Sequence, residues 1–223
     1  GTDIDDDISA FISNPMEHAE ASKIALFSIA DYAWNMDAYK SDASWRRAVR
    51  YLMPGHAAAL QVFASHNSDL GGNEHDFRRE ESEQIRPALE RLLDAYCREG
   101  KREVAAASAV TEECERMIAS ADLLLASDEN PALIKEISPW LMQFKLLGEF
   151  GREVLCMLAA QCDGKKTELE KAASHAKALQ VLMKKIDATY NQNGFQPGVK
   201  TGSCHLKPAF DRLYQEVVQR TGK

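Results

Sequence analysis

The sequence predicts an all-α protein, a multi-helix antiparallel bundle. Apolar residues recur at helical spacing along most of the 223 residues, and the alternation typical of strands is nearly absent. The predicted helices are long and the segments that join them are short, which favours the packing of consecutive helices as antiparallel neighbours. No internal repeat of about 20–50 residues indicates a solenoid.

The first predicted helix spans residues 17–34. Apolar side chains occupy most of its circumference, so we expect burial on several sides, with Trp34 in the core and Trp45 of the next helix there too. Asn14 is placed to cap the N-terminus of this helix, and Pro15 suits the first helical position.

The later helices are delimited by the usual turn residues. Pro54 ends the second helix and Gly100 the fourth, while Asn130 and Pro131 are placed to begin the sixth. Pro139 lies inside that sixth helix and is expected to kink or split it. The predicted spans after the first helix are 42–53, 55–66, 80–98, 104–126, 132–162, 166–190 and 207–220.

Two polar segments are predicted to be loops, one over residues 67–73 and one over residues 191–198. Phe195 lies in the second loop. Of the aromatic side chains, it is the one we expect to be presented from irregular backbone, which often carries function.

Composition excludes several classes of protein. With 27 Lys+Arg against 34 Asp+Glu the chain has a formal charge of −7, which argues against a nucleic-acid partner. No apolar run reaches the roughly 20 residues that a membrane span needs, and no signal peptide is evident. The five cysteines include no C-x-x-C pair, and we expect them to be free, buried thiols.

Candidate catalytic and metal-binding residues are few. His66 and His75 lie close in sequence to Asp69, Glu74 and Asp76, but sequence proximity alone does not make a metal site, so we predict no metal and no cofactor. A solvated helix start is favoured for the charge cluster at residues 78–81. The acidic run at residues 5–7 is interpreted as the start of a helix rather than a pair of catalytic acids.

Several strings of the sequence resemble glycoside hydrolase family 84, the β-N-acetylglucosaminidases that include bacterial O-GlcNAcase-like and hyaluronidase-annotated enzymes. The run at residues 13–26, continued by residues 30–35, is similar to the end of the family's catalytic (β/α)8 barrel. The rest resembles the helical bundle that follows the barrel in bacterial members. The strings that carry this second resemblance are residues 66–71, 78–82, 139–140, 143–146, 191–193 and 196–201.

The resemblance implies two regions: residues 1–36 as the last loop and helix of the barrel, and residues 37–223 as the post-catalytic bundle.

Family members cleave the glycosidic bond with two neighbouring aspartates and the substrate's own acetamido group, an exception to the usual pair of carboxylates. Asp6 and Asp7 superficially resemble that pair, but they lie too close to Asn14 in the sequence. We therefore expect no catalytic residue in this chain. By resemblance, Asn14 is the asparagine that binds the hydroxyls of N-acetylglucosamine.

The leading hypothesis is that the chain is the helical region of such an enzyme, with a structural or substrate-groove role, and is inactive alone. Its expected partners are the missing barrel, a glycan or glycoprotein containing N-acetylglucosamine, and a second copy of the chain in a homodimer. The parent enzyme is expected to be exported from a bacterium. The alternative is a stand-alone module that binds carbohydrate or protein through the loops around Asp69 and Phe195. A metal-dependent helical enzyme ranks third.

Overall fold

The computed structural model describes residues 10, 12–16, 18–68, 80–190 and 198–222. These residues form helices and no strand, which confirms the predicted all-α class. The helices of the described residues are α1 (Ala19–Trp34), α2 (Ser41–Leu52), α3 (Ala57–Ser65), α4 (Arg86–Glu99), α5 (Val104–Leu125), α6 (Pro131–Cys162), α7 (Lys166–Tyr190) and α8 (Leu206–Thr221).

The chain divides into two compact units. Unit 1 comprises Gly1–Gln61 and Leu123–Ser138, and unit 2 comprises Val62–Asp122 and Pro139–Lys223. Three helices, α3, α5 and α6, contribute residues to both units. The predicted boundary between residues 36 and 37 is a different division, drawn from a family resemblance, and it stays a prediction.

In unit 1, α1 packs against α2, and the rings of Phe27 and Tyr51 lie 5.9 Å apart across that contact. Only Ser22 is buried in α1, and Trp34 is 88% exposed. The predictions of burial on several sides and of a core role for Trp34 are therefore wrong for this chain. Apolar residues lie all around α1, but the contact with α2 covers only one side of this helix. Trp45 is half-buried.

In unit 2, large side chains from four helices fill the interior. Gly151 of α6 makes this packing close, because a Cβ atom there would lie 2.5 Å from the ring of Phe210 and 2.8 Å from Sγ of Cys114. Fully buried side chains of this unit include Leu92, Tyr96, Met117, Phe144, Phe150 and Phe210.

Most predicted helix ends are confirmed to within a few residues, and α7 agrees at both ends. Gly100 ends α4 in the left-handed conformation, at φ 66°. Asn130 caps α6 as predicted, with its side-chain oxygen accepting the N–H of Leu133 at 3.1 Å.

Pro139 does not split α6, which runs unbroken over 32 residues. A proline removes the N–H that would reach the carbonyl four residues earlier, which is that of Lys135. The hydroxyl of Ser138 donates to this carbonyl at 3.3 Å, so the oxygen keeps a partner within the helix.

The five cysteines form no disulfide with one another, as predicted, but they are not all buried. Cys114 is fully buried, and this burial raises the pKa of its thiol to about 12. Cys156 and Cys162 are exposed, so the expectation of burial is wrong for them. Both lie on the surface of α6, where the periodicity of a largely apolar helix did not reveal which side faces water.

Candidate functional site

Asn14, the predicted substrate-binding residue, lies in irregular backbone ahead of α1. Its side chain is exposed, as is Pro15, and neither residue belongs to the helix. The hydroxyl of Ser22 lies 3.1 Å from the carbonyl of Met16 and 2.7 Å from that of His18, which ties the segment to the first turn of α1.

The cap predicted for Asn14 is wrong, because α1 begins at Ala19 and another residue satisfies its first N–H groups. The carboxylate of Glu136 in α6 accepts the N–H of Glu20 at 2.9 and 3.1 Å and that of Ala21 at 3.1 Å. A carboxylate suits this place, since the N-terminus of a helix presents unpaired donors and a partial positive charge. Asn14 is thus an exposed amide, able to donate to and accept from sugar hydroxyls.

Most of the other candidate residues lie outside the described residues. These are Asp5, Asp6, Asp7, Asp69, Glu74, His75, Asp76, Arg78, Arg79 and Phe195. Within the described part of the chain, no group of three His, Cys, Asp or Glu side chains is arranged to hold a metal ion.

His66 belongs instead to a buried polar cluster in unit 2. Its Nδ1 lies 2.8 Å from Oγ of Ser82, and its Nε2 lies 2.7 Å from a carboxylate oxygen of Glu113 in α5. The other oxygen of Glu113 pairs with Arg116. His66 and Ser82 are each 2% exposed and Glu113 is 4% exposed.

Glu81 extends this cluster to a third segment of the chain. It is fully buried, and its carboxylate accepts the N–H groups of Cys204 at 2.9 Å and His205 at 3.0 Å, immediately before α8. The carbonyl of His66 accepts the N–H of Gly202 at 3.1 Å. The cluster therefore fastens three stretches together: residues 65–68, 80–82 and 202–205.

The backbone around Ser82 explains why α4 starts later than predicted. Ser82 has φ 58°, and its N–H donates to the carbonyl of Ser65 at 2.9 Å. The chain turns there and enters the helix only at Arg86, with Pro87 in the first turn. The solvated helix start predicted for residues 78–81 is wrong for Glu81. Its fixed partners lie more than 100 residues away, and no local signal reveals them.

The protonation of the cluster follows from burial. Burial lowers the pKa of His66 to about 4, with the positive charge of Arg116 acting in the same direction and the negative charge of Glu81 opposing it. At neutral pH the imidazole is therefore uncharged. The arrangement then has Nε2–H donating to Glu113 and Nδ1 accepting from the hydroxyl of Ser82.

A serine, a histidine and a carboxylate in hydrogen-bond sequence is also the arrangement of an activated nucleophile. A nucleophile must reach its substrate, and Ser82 is 2% exposed. We therefore assign the cluster a structural role. The fold and this cluster define a class of protein, a helical bundle in which a buried polar cluster holds the residues just before α8.

The chain belongs to the family described as the bacterial GH84 post-catalytic domain, which matches residues 81–214. Residues 1–65 match a second family, described as beta-N-acetylglucosaminidase. The resemblance found in the sequence to glycoside hydrolase family 84 is thereby confirmed.

Three solved structures share the fold. CpGH84D is 27% identical over 92% of this chain, with a TM-score of 0.79, and CpGH84B is 21% identical over 92%, with a TM-score of 0.77. An O-GlcNAc hydrolase mutant from Thermobaculum terrenum is 19% identical over 94%, with a TM-score of 0.70. The chain spans only 34% of the length of the first two and 42% of the third.

Among the described residues, no helix is both long enough and apolar enough to span a membrane.

Proposed function

We propose that this chain is the helical part of a GH84 β-N-acetylglucosaminidase, a glycosidase that releases terminal N-acetylglucosamine with the help of the substrate's own acetamido group. The observation that carries the proposal is the order of the two family matches, β-N-acetylglucosaminidase over residues 1–65 and post-catalytic domain over residues 81–214. The small share of each solved relative that the chain spans agrees with a longer parent protein.

In this proposal the catalytic aspartates belong to barrel strands outside the chain, and the chain alone does not cleave glycosides. The bundle braces the barrel or extends the groove that receives the glycan. The exposed surface of α1 supports such a role, because Ile24, Leu26, Phe27 and Ile29 are only half-buried in this chain. Apolar surface of this kind often marks a contact with another domain or chain.

Asn14 is the residue we propose to touch the substrate, as one of the groups that bind the hydroxyls of the N-acetylglucosamine ring. Its exposed position on irregular backbone ahead of α1 supports this assignment. The parent enzyme is proposed to be exported from its bacterium, and a second copy of the chain is an alternative cover for the apolar surface of α1.

The activity test uses a chromogenic β-N-acetylglucosaminide. The 223-residue chain should show no turnover, and the full-length protein that contains it should be active. Turnover by the chain alone that is lost on Asp6→Asn and Asp7→Asn would refute the proposal.

The role of Asn14 is tested in the same full-length protein. Asn14→Ala should lower kcat/KM about 10- to 100-fold, the effect of losing a hydrogen bond to the bound sugar, while the unfolding transition stays in place. Ser13→Ala is the matched control and should leave kcat/KM within about twofold. Equal losses for both variants would show that the segment acts through its backbone and not through the amide of Asn14.

A further inference from the structure

The outward face of the later part of α7 carries a net positive charge, although the chain as a whole is acidic. The buried side chains of this helix are Leu169, Ala172, Ala176 and Met183, and at 3.6 residues per turn the opposite side faces solvent. We call this opposite side, over residues 171–190, the basic α7 face. Its exposed residues include Lys171, Lys177, Ala178, Val181, Leu182, Lys184, Lys185 and Ala188.

The basic α7 face concentrates positive charge in an acidic protein. Residues 171–190 contain four lysines against a single acidic residue, a net charge of +3 in a chain whose formal charge is −7. That acidic residue, Asp187, is already engaged, because its carboxylate accepts the N–H of Val199 at 2.8 Å. Among the described residues, none of the four lysines has a carboxylate within 4.0 Å.

The residues around the start of the same helix are different. Lys165 lies 3.5 Å from Glu168, and Lys166 lies 4.0 Å from Glu170. The positive charges at the start of α7 are therefore balanced locally, and those further along are not. A pair of lysines from each part gives a matched comparison within one helix.

Apolar side chains lie among these lysines on the same surface. Val181 is 61% exposed and Leu182 is 48% exposed. At 100° per residue, Lys177 and Lys184 lie about 40–60° to one side of Val181, Lys185 and Lys171 lie about 40–80° to the other side, and Leu182 lies beyond them at about 100°. An exposed helix surface on which several lysines lie among apolar side chains suits contact with a surface of acidic headgroups.

We propose that the basic α7 face docks onto a membrane surface that contains acidic phospholipids. The lysines complement the negative headgroups, and their long side chains reach those headgroups while Val181 and Leu182 enter the boundary of the acyl region. The four lysines lie on one exposed side of a single helix, so a planar array of acidic headgroups can meet them together. The contact is peripheral and needs no spanning helix.

The proposal is tested by co-sedimentation of the 223-residue chain with vesicles. The vesicles are phosphatidylcholine alone, or phosphatidylcholine with about 30% phosphatidylglycerol, in low salt. We expect binding to the acidic vesicles only, and its loss at high ionic strength because salt screens the charges.

Two double variants distinguish an effect of where the lysines lie from an effect of net charge alone. Lys177→Gln with Lys184→Gln should weaken binding about 30-fold, which corresponds to about 2 kcal/mol for two lysines near an acidic surface. Lys165→Gln with Lys166→Gln removes the same charge and should change binding less than about threefold. Glutamine is a good helix former, so circular dichroism should show unchanged helix content in both double variants.

Several results would overturn the proposal. One is equal binding to neutral and acidic vesicles, or none to either. Another is an equal loss in the two double variants, which would make net charge the cause. The last is binding to soluble polyglutamate with no binding to acidic vesicles, which would make an acidic polypeptide the partner.

Discussion

At the scale of single residues, His66 illustrates how burial sets the chemistry of a side chain. The sequence placed it beside a polar loop with several carboxylates, where a metal ligand was one interpretation. The structure gives it a hydroxyl on one ring nitrogen and a carboxylate on the other, with 2% of the residue exposed. This environment favours the neutral imidazole, since a buried charge is costly.

His66 should make the stability of the chain fall in mild acid. Its pKa is about 4 in the folded protein and 6.5 in the unfolded chain, so below pH 6.5 the unfolded state takes up a proton that the folded state does not. The free energy of unfolding should therefore drop by about 2 kcal/mol between pH 7 and pH 5, and this contribution is fully present above pH 6.5. Urea unfolding at a series of pH values measures the drop.

The variants for this prediction are His66→Gln and His175→Gln. Glutamine at position 66 can keep one donor and one acceptor but does not titrate, so the drop between pH 7 and pH 5 should largely disappear. His175 is more than half exposed on α7, and its variant should keep the drop. An unchanged pH dependence in His66→Gln would mean that other groups cause it.

Gly151 lies where the packing around α6 leaves no room for a side chain. Alanine is the better helix former by about 1 kcal/mol, which would favour Gly151→Ala on an exposed surface. Here the added methyl would meet the fully buried ring of Phe210 at 2.5 Å. We expect a net destabilisation of about 1–3 kcal/mol, because the cost of overpacking exceeds the gain in helix propensity. Chemical denaturation measures it.

Gly222→Ala is the control for this change. A Cβ atom at Gly222 would have its nearest neighbour at 3.8 Å, and the residue has a negative φ that any amino acid adopts. The free energy of unfolding of the Gly222→Ala variant should stay within about 0.5 kcal/mol of the wild-type value. A stabilised Gly151→Ala variant would contradict the close packing of α6 with α8 and α5.

At the scale of elements, the start of α1 is fixed by a residue of another helix. Sequence signals for helix starts are local and placed the cap at Asn14. The cap that forms is the Glu136 carboxylate, more than 100 residues away, and α1 begins correspondingly later. The α6 start was predicted correctly because its cap, Asn130, is local.

Loss of the Glu136 carboxylate should loosen the first turn of α1. Glu136→Ala removes the acceptor for two backbone N–H groups, at an expected cost of about 1–2 kcal/mol. Hydrogen exchange should show faster exchange at the amides of Glu20 and Ala21, with little change in the middle of α4. Asn14→Ala should leave both exchange rates and stability unchanged. If Asn14→Ala instead accelerates exchange at Glu20, the cap assignment is wrong.

At the scale of the whole molecule, some large apolar side chains of the described residues are exposed to solvent. Trp34 is 88% exposed and Tyr51 is 72% exposed, both in unit 1. Exposed aromatic side chains are common at contacts with other proteins, because their burial removes much apolar surface from water. A role beside a catalytic barrel would account for them.

The isolated chain should therefore self-associate at high concentration. We expect Trp34→Ser to weaken this association at least threefold while it changes the free energy of unfolding by less than about 0.5 kcal/mol, because an exposed side chain contributes little to the fold. Sedimentation velocity across a concentration series measures the association. Val104→Ser, on an exposed valine at the start of α5, is the control and should leave association unchanged. A strictly monomeric wild-type chain would contradict this prediction.

The sequence by itself determined the helical class, the bounds of most helices and the family, because helical periodicity, turn residues and sequence motifs are local properties of the chain. Asn14 could be proposed as a sugar-binding residue from its motif alone. Tertiary structure decided the cap of α1, the burial of Glu81 and the state of His66. Each of these depends on groups brought together from distant segments, and the burial and hydrogen bonds that result cannot be read from neighbouring residues.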